Sequence, residues 1–247
     1  MPLAHRYALY LAPSGPWQEQ GSRWLGRCAE TGAALERQPG MPAAAQEWTR
    51  APRHYGLHAT LKPPFRLIAG AAPSDVDRAA AALAAQHSAF AIELECAPLR
   101  GFLAWRLTES DPAGRARIHA LADAAVRELD PLRAPPTPEE LAKRLRHPLA
   151  PAQHALLERW GYPYVFDQFT FHITLSEKLA DAELRQAQAC IARYADPLAG
   201  RPMPVDGVSV YVQPGPGEDF LAARHYRFDG GREDVAGAAY MQGEAAA

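Results

Sequence analysis

Two stretches of this chain carry the residues best suited to chemistry, in the same order. The first is YGLHATLKPPF, Tyr55 to Phe65, centred on His58-Ala-Thr60-Leu; the second is FTFHITLSEKL, Phe169 to Leu179, centred on His172-Ile-Thr174-Leu. In an extended strand alternate side chains point to opposite faces. His54, Gly56, His58, Thr60 and Lys62 would then share one face, against Tyr55, Leu57, Ala59 and Leu61 on the other. Thr170, His172, Thr174 and Ser176 would likewise oppose Phe169, Phe171, Ile173 and Leu175.

For one copy, a polar face that simply meets water is the plainer reading. Two copies of the same parity predict two imidazoles and two hydroxyls converging on one small object. Such a quartet suits a phosphodiester. An imidazole with an ordinary pKa near 6.5 can serve as base when neutral and as acid when charged. Help of this kind contributes about 10²–10⁴-fold per group. The threonine hydroxyls can donate to phosphate oxygens as charge builds there. The scheme requires no metal and no cofactor.

The paired unit resembles the signature of the two-histidine (2H) phosphoesterases, which act on cyclic phosphates and 2′,5′-linked nucleotides. The longer stretches RYALYLAP, PRHYGLHATLKPPFRL, LRAPPTPEELAKR and RWGYPYVFDQFTFHITLS resemble a bacterial branch described as phosphonate-metabolism proteins. The likeness runs from about Arg6 to about Phe228. It departs at Ser176-Glu177, where the branch more usually has a small residue and glycine.

The resemblance implies an α+β fold of two pseudo-symmetric lobes, each with an antiparallel sheet flanked by helices, and an active-site cleft between them. It carries catalytic roles onto His58, Thr60, His172 and Thr174, in a metal-independent phosphoric diester hydrolase. A ribosyl cyclic phosphate arising in phosphonate breakdown is the natural substrate under that likeness. The alternatives are an enzyme processing 2′,5′ RNA ends or oligonucleotides, and a non-catalytic module that binds a nucleotide or phosphonate metabolite.

Other residues offer binding groups. Lys62, just past Thr60, is a candidate phosphate ligand or a solvated lysine; Arg53 and Tyr55 are candidates to clamp the far end of a substrate. Tyr10 lies on a predicted strand and faces either the core or the cleft. Arg133, with Lys143, Arg144 and Arg146, forms the main basic concentration, a solvated helix face unless it closes over the groove. WGYPYV, Trp160 to Val165, could stack a base but reads more simply as core and turn. His5, His54, His87, His119, His147, His154 and His225 lack a repeated context and are expected to be structural or surface groups.

The elements that must position these groups follow from pattern and punctuation. Strands are predicted at Arg6–Leu11, Leu57–Leu61 (ended by Pro63-Pro64), Phe169–Leu175, Pro204–Val212 and Phe220–Phe228, with a hairpin from Phe90–Ala97 and Phe102–Leu107. Helices are predicted over Trp17–Glu36, from Pro73 with Ser74 as a cap, and over Gly114–Leu129, Pro138–Arg146, Pro151–Trp160 and Asp181–Tyr194. EWTRAPRHYG reads as an irregular lead into the first motif. DPLRAPPTPEE, with four prolines, reads as a linker. One bilobal unit, 1–230, is expected, with lobes of roughly 1–130 and 131–230, strand exchange between them allowed, and a flexible tail over 231–247.

Composition sets the outer limits. The 247 residues carry a formal net charge of −2, so no global basic field marks a long nucleic acid as partner. The three cysteines, Cys28, Cys96 and Cys190, lack paired spacing, and no apolar run approaches the roughly 20 residues of a membrane span. The N-terminal apolar run is too short for a signal peptide before Pro13 interrupts it. A cytoplasmic protein acting on a small phosphate ester, away from membranes, is expected, with its oligomeric state open.

Overall fold

The computed structural model describes residues 3–37, 39–146, 148–194, 198 and 200–243; His147 and the last four residues of the tail lie outside them. The first half of the chain contains β1 (Arg6–Leu11), α1 (Gly15–Leu25), α2 (Ala45–Trp48), α3 (Arg50–Tyr55), β2 (Ala59–Phe65), α4 (Pro73–Ala85), β3 (Phe90–Ile92), β4 (Leu94–Leu99), β5 (Phe102–Leu107) and α5 (Pro112–Leu129). The second contains α6 (Pro138–Arg144), α7 (Pro151–Trp160), β6 (His172–Thr174), α8 (Asp181–Tyr194), β7 (Met203–Val205), β8 (Gly207–Gln213), β9 (Leu221–Arg227) and β10 (Arg232–Asp234).

The fold is α+β, with a large antiparallel sheet flanked by helices. Its strand order is β10-β9-β8-β1-β2-β6-β5-β4, and β3 pairs separately with β7. Chain order and spatial order differ. Strands β8 to β10 extend the half begun by β1 and β2, while β4 and β5 flank β6, so strands are exchanged between the halves. The halves join at the pair Ala59↔Ile173, the middle residues of the two His-x-Thr units. The motif strands are therefore neighbours in one sheet rather than members of two separate sheets facing each other.

One face of this sheet is the core side. Leu57, Ala59 and Leu61 of the first stripe and Phe171, Ile173 and Leu175 of the second all belong to the main apolar cluster. Helix α5 packs on β2, α4 on β8 and β9, and α8 on β4 and β5. Helix α1 clamps both motifs: a side chain at Gly21 would press to 2.4 Å from Leu57, and the Trp24 indole N–H donates to the Leu175 carbonyl at 2.7 Å.

Several predicted boundaries move, each for a local reason. Helix α1 stops at Leu25 because Gly26 takes a left-handed conformation and closes it, leaving Cys28 outside. The lead into the first motif is helical, as α2 and α3, so His54 is not on the strand face of His58. Strand β2 runs through Pro63 and Pro64. They fall where its register with β1 slips, between Tyr7↔Phe65 and Leu9↔Lys62, and an irregular ladder tolerates the missing donors.

Helix α4 begins with Pro73 at its first position, and the Asp75 carboxylate, rather than Ser74, accepts from the Ala72 N–H at 2.8 Å. The segment Phe90–Ala97 divides between β3 and β4, and Pro204–Val212 between β7 and β8. The proline-rich connection is no free linker: Ala134 N–H donates to the Arg66 carbonyl at 2.8 Å and Ile68 N–H to the Leu132 carbonyl at 2.9 Å. Much of the tail is also fixed, with β10 paired to β9 and Met241 buried.

Candidate active site

The polar faces of the two motif strands open into a cavity of about 720 Å³. His58, Thr60, His172 and Thr174 all line it. Burial follows the predicted parity: Leu57, Ala59 and Leu61 are buried and alternate with partly buried His58 and Thr60, and Phe171, Ile173 and Leu175 with partly buried His172 and Thr174. The antiparallel pair Ala59↔Ile173 sets His58 beside Thr174 and Thr60 beside His172. The quartet therefore has an approximate twofold relation, with the imidazoles on one diagonal and the hydroxyls on the other.

Both rings are oriented in the same way. His58 Nδ1 lies 2.9 Å from the Gly56 carbonyl, and His172 Nδ1 lies 2.7 Å from the Thr170 carbonyl. A carbonyl only accepts, so Nδ1 carries the proton in each ring, and each neutral ring presents its Nε2 lone pair. Thr60 Oγ1 sits 3.2 Å from His58 Nε2. Gly56 makes the first of these contacts possible, because its φ of +77 suits glycine and a side chain there would meet the Ala29 Cβ at 2.4 Å.

Burial lowers the His58 pKa to about 4, opposed by the Gly56 carbonyl and reinforced by the charge of His172. Burial also lowers His172, with the Thr170 carbonyl opposing and Arg100 adding to the fall. Both rings thus favour the neutral form at pH 7, where an ordinary histidine would be partly charged. A bound anion works in the other direction.

Tyr10 answers the question left open by its strand. It is 1% exposed yet lines the cavity, cross-strand from Thr60, with its ring stacked on His58 at 3.8 Å between centroids. Its hydroxyl has no hydrogen-bond partner among the described residues. Tyr55 also lines the cavity, 6.1 Å from the His58 ring and stacked on Phe220. Arg133 borders it too, with its Nε donating to Asp130 at 2.8 Å.

Lys62 does not. Between Thr60 and Lys62 the register with β1 slips by one residue, which takes Lys62 off the face that Thr60 shares with His58. The ammonium turns into the core side, 2.7 Å from Asp130 and 3.3 Å from the Val126 carbonyl, and is buried. Burial lowers its pKa, while Asp130 works to keep it charged. Lys62 is a structural ion pair, not a cleft ligand. Arg53 stays outside the cavity lining, on α3.

Further groups line the cavity. Arg6 shares the parity of Tyr10 on β1, a signal that was available. Tyr162 and Tyr164, read as core and turn, form part of the cavity wall. The basic segment with Lys143, Arg144 and Arg146 borders the cavity as well. Ser176 explains how the second motif ends without glycine: its Oγ accepts from the Leu103 N–H at 2.9 Å and donates to the Glu177 carbonyl at 2.8 Å. Of the other histidines, His54 pairs with Asp219 at 2.8 Å and His225 with Ser209 at 2.6 Å; none of the described ones lines the cavity. Among the described residues no cluster of three or more His, Cys, Asp or Glu side chains is placed to hold a metal, and no helix is long and apolar enough to cross a membrane.

Comparison with known proteins places this chain in a family. The chain is 37% identical over 235 residues to the ribose 1,5-bisphosphate phosphokinase PhnN of Janthinobacterium sp. (strain Marseille), a match that covers 91% of this chain and 51% of the relative. It is 36% identical over 222 residues to the protein of the same name from Laribacter hongkongensis (strain HLHK9), covering 89% and 51%. The chain spans about half the length of these relatives. A family described as protein of unknown function, DUF1045, matches residues 60–221, a span that includes the second motif and ends at the start of β9. The chain belongs to the DUF1045 family.

Proposed function

We propose that this protein is a metal-independent phosphodiesterase of the 2H type that opens a small cyclic phosphate ester, with a ribosyl cyclic phosphate as the favoured substrate. The observation that carries this reading is the matched pair of His-x-Thr units, side by side in one cleft with both rings oriented through Nδ1 by a backbone carbonyl. A ligand-binding module would have little use for a proton acceptor and a proton donor in that arrangement.

The chemistry balances without another reactant. Water attacks phosphorus while His58 Nε2 takes its proton. The bond from phosphorus to the leaving sugar oxygen breaks, and His172 Nε2–H delivers a proton to that oxygen. His58 is given the base role because it is the ring with the strongly depressed pKa. His172, after an anion has bound, is the ring that accepts a proton from solvent and donates it. Thr60 and Thr174 donate to the two non-bridging oxygens, and rotation of the Thr60 hydroxyl onto phosphate frees His58 Nε2.

The relatives are named as kinases of ribose 1,5-bisphosphate, but this chain corresponds to about half of each. Its three lysines, Lys62, Lys143 and Lys178, each follow a residue other than glycine, so the stretch contains no Gly-Lys-Ser/Thr phosphate loop of the usual nucleotide-binding type. A diesterase half fits beside such a kinase. Opening a 1,2-cyclic phosphate of ribose at its 2-oxygen leaves a phosphate on C1, a group that the kinase substrate carries. The test is a panel comprising ribosyl 1,2-cyclic phosphate, nucleoside 2′,3′-cyclic phosphates and 2′,5′- and 3′,5′-linked dinucleotides, incubated with EDTA and followed by phosphorus NMR. Ring opening of the cyclic esters is expected. Turnover of the 2′,5′ dinucleotide alone would favour an RNA-end activity, and turnover of none would reject the diesterase.

A further inference from the structure

The cleft holds more positive charge than a lone phosphodiester requires. Among the described residues seven Lys or Arg side chains and two carboxylates line the cavity, in a chain with a formal net charge of −2. Three of the cations are engaged elsewhere. Arg66 pairs with Glu140 at 3.3 Å, Arg133 with Asp130 at 2.8 Å, and Arg6 donates to Gln213 at 2.8 Å with its guanidinium over the Phe220 ring. The second carboxylate, Glu177, has Arg50 at 3.6 Å.

The remaining cations differ. Lys143, Arg144 and Arg146, at the end of α6 and just beyond it, have no acidic partner within ion-pair distance among the described residues, nor does Lys178. Arg144 is nevertheless held in place, with its guanidinium 4.5 Å from the centroid of the Tyr162 ring. Stacking uses the flat face of a guanidinium and leaves its N–H edge free, the edge that matches phosphate oxygens. Helix α6 has no buried residue, so packing does not explain why these charges gather here.

A chain of ring contacts leads from α6 toward the acid–base pair. The Tyr162 ring lies 5.6 Å from that of Tyr164, and Tyr164 sits under the Arg100 guanidinium at 5.3 Å. Arg100 is near enough to His172 to disfavour its charged form. On the other side Tyr10, stacked on His58, also feels Tyr162. A cavity of about 720 Å³ is roomy for a cyclic phosphate on its sugar and leaves space beyond it.

We infer that this end of the cleft is a second anion subsite, with Arg144 as the main partner and Lys143 and Arg146 at its rim. Its ligand is a phosphate monoester on the same molecule that carries the scissile diester. The inference rests on the phosphodiesterase reading and sharpens it: the substrate is a phosphorylated sugar cyclic phosphate, and the product is a sugar bisphosphate. A doubly charged monoester meets the fork of Arg144 and the neighbouring charges better than a carboxylate would, because it has more acceptors and more charge.

Calorimetric titration with ribose 1,5-bisphosphate and ribose 1-phosphate tests the subsite without turnover. Wild-type protein should bind the bisphosphate at least about ten-fold more tightly. Arg144→Gln should erase most of that ratio, and Arg144→Gln with Arg146→Gln the rest, with melting curves unchanged. Equal affinity of the two ligands for wild type, or a preference that survives in the double variant, overturns the subsite. If the variants do not fold, the wild-type ratio decides alone. Ring opening assayed in parallel separates the two readings. A strong bisphosphate preference without turnover rejects the diesterase and keeps the subsite, whereas turnover without preference does the reverse.

Discussion

The protonation of the two imidazoles sets a pH profile whose sign follows from the cleft. His58 as base must be neutral, and burial first, then His172, bring its pKa to about 4 against the pull of the Gly56 carbonyl. The acid limb should therefore appear only as pH falls toward that value. His172 as acid must carry its proton, and burial, with Arg100, puts its pKa below 6.5. Activity should then decline as pH rises past that lowered pKa. Since kcat/KM reports the free enzyme, it should peak between about 4 and 6.5 and lose about ten-fold per pH unit beyond, up to about 100-fold between pH 6.5 and 8.5.

The kcat profile reports the complex, in which the phosphate anion favours both cationic rings, so it should lie at higher pH. The assay uses a cyclic diester without a phosphomonoester, so that the ligand does not titrate, in EDTA at constant ionic strength. Stability carries the same signature. The unfolded ring, near 6.5, takes up its proton before the folded one, so stability falls as pH drops from 6.5 toward 4. Full depression corresponds to about 3 kcal/mol, reduced to about 2 for a ring partly in contact with solvent. His58→Gln should remove that share of the acid sensitivity. A kcat/KM that is flat or rising from pH 6 to 8.5 would show that the pair does not work as described.

Three further outcomes are expected. Thr60→Val and Thr174→Val should each slow turnover by about 2.7–4 kcal/mol, because each removes a donor to developing charge, and a fully active double variant would exclude the phosphate cradle. Tyr10→Phe should leave melting unchanged, since the hydroxyl has no partner among the described residues, yet lower kcat/KM by about 10- to 100-fold through one lost hydrogen bond to a charged oxygen; unchanged kinetics would confine Tyr10 to packing against His58. Asp130→Asn should cost about 3–5 kcal/mol in urea denaturation by leaving the buried Lys62 ammonium unpaired, whereas Lys62→Met should cost less, because Asp130 keeps Arg133 at 2.8 Å. Turnover by Lys62→Met should stay within about two-fold of wild type, and its loss would return Lys62 to the site.

The alternation of His, Thr and apolar residues was enough to place the quartet, because a half-buried strand writes its parity directly into sequence. Leu57, Ala59 and Leu61 are buried and His58 and Thr60 partly buried, as that parity requires, and the second motif repeats the pattern. Parity fails at Lys62, because a bulge depends on how β1 pairs with β2, and that pairing leaves no mark within the motif itself. The meeting of the motifs at Ala59↔Ile173 was hidden for a related reason: strands exchanged across the chain are joined by contacts of long sequence separation. Tyr162 and Tyr164 suit a turn as well as a cleft wall, and only the fold brings them beside Arg144 and Arg100. The tail looked loose because it is rich in alanine and glycine, yet Arg224 ties β9 and β10 together through Asp234, and Asp77 on α4 through a 2.7 Å bond.

The decisive measurement is phosphorus NMR of ribosyl 1,2-cyclic phosphate with EDTA, for wild type and for His58→Ala and His172→Ala separately, with circular dichroism and melting curves as controls on folding. The cyclic ester should disappear with wild type, and each variant should be slower by about 10²–10⁴-fold while remaining folded. A folded variant that keeps more than about a third of the wild-type rate, or a wild-type reaction that stops in EDTA and returns with a divalent ion, would contradict the paired-histidine mechanism.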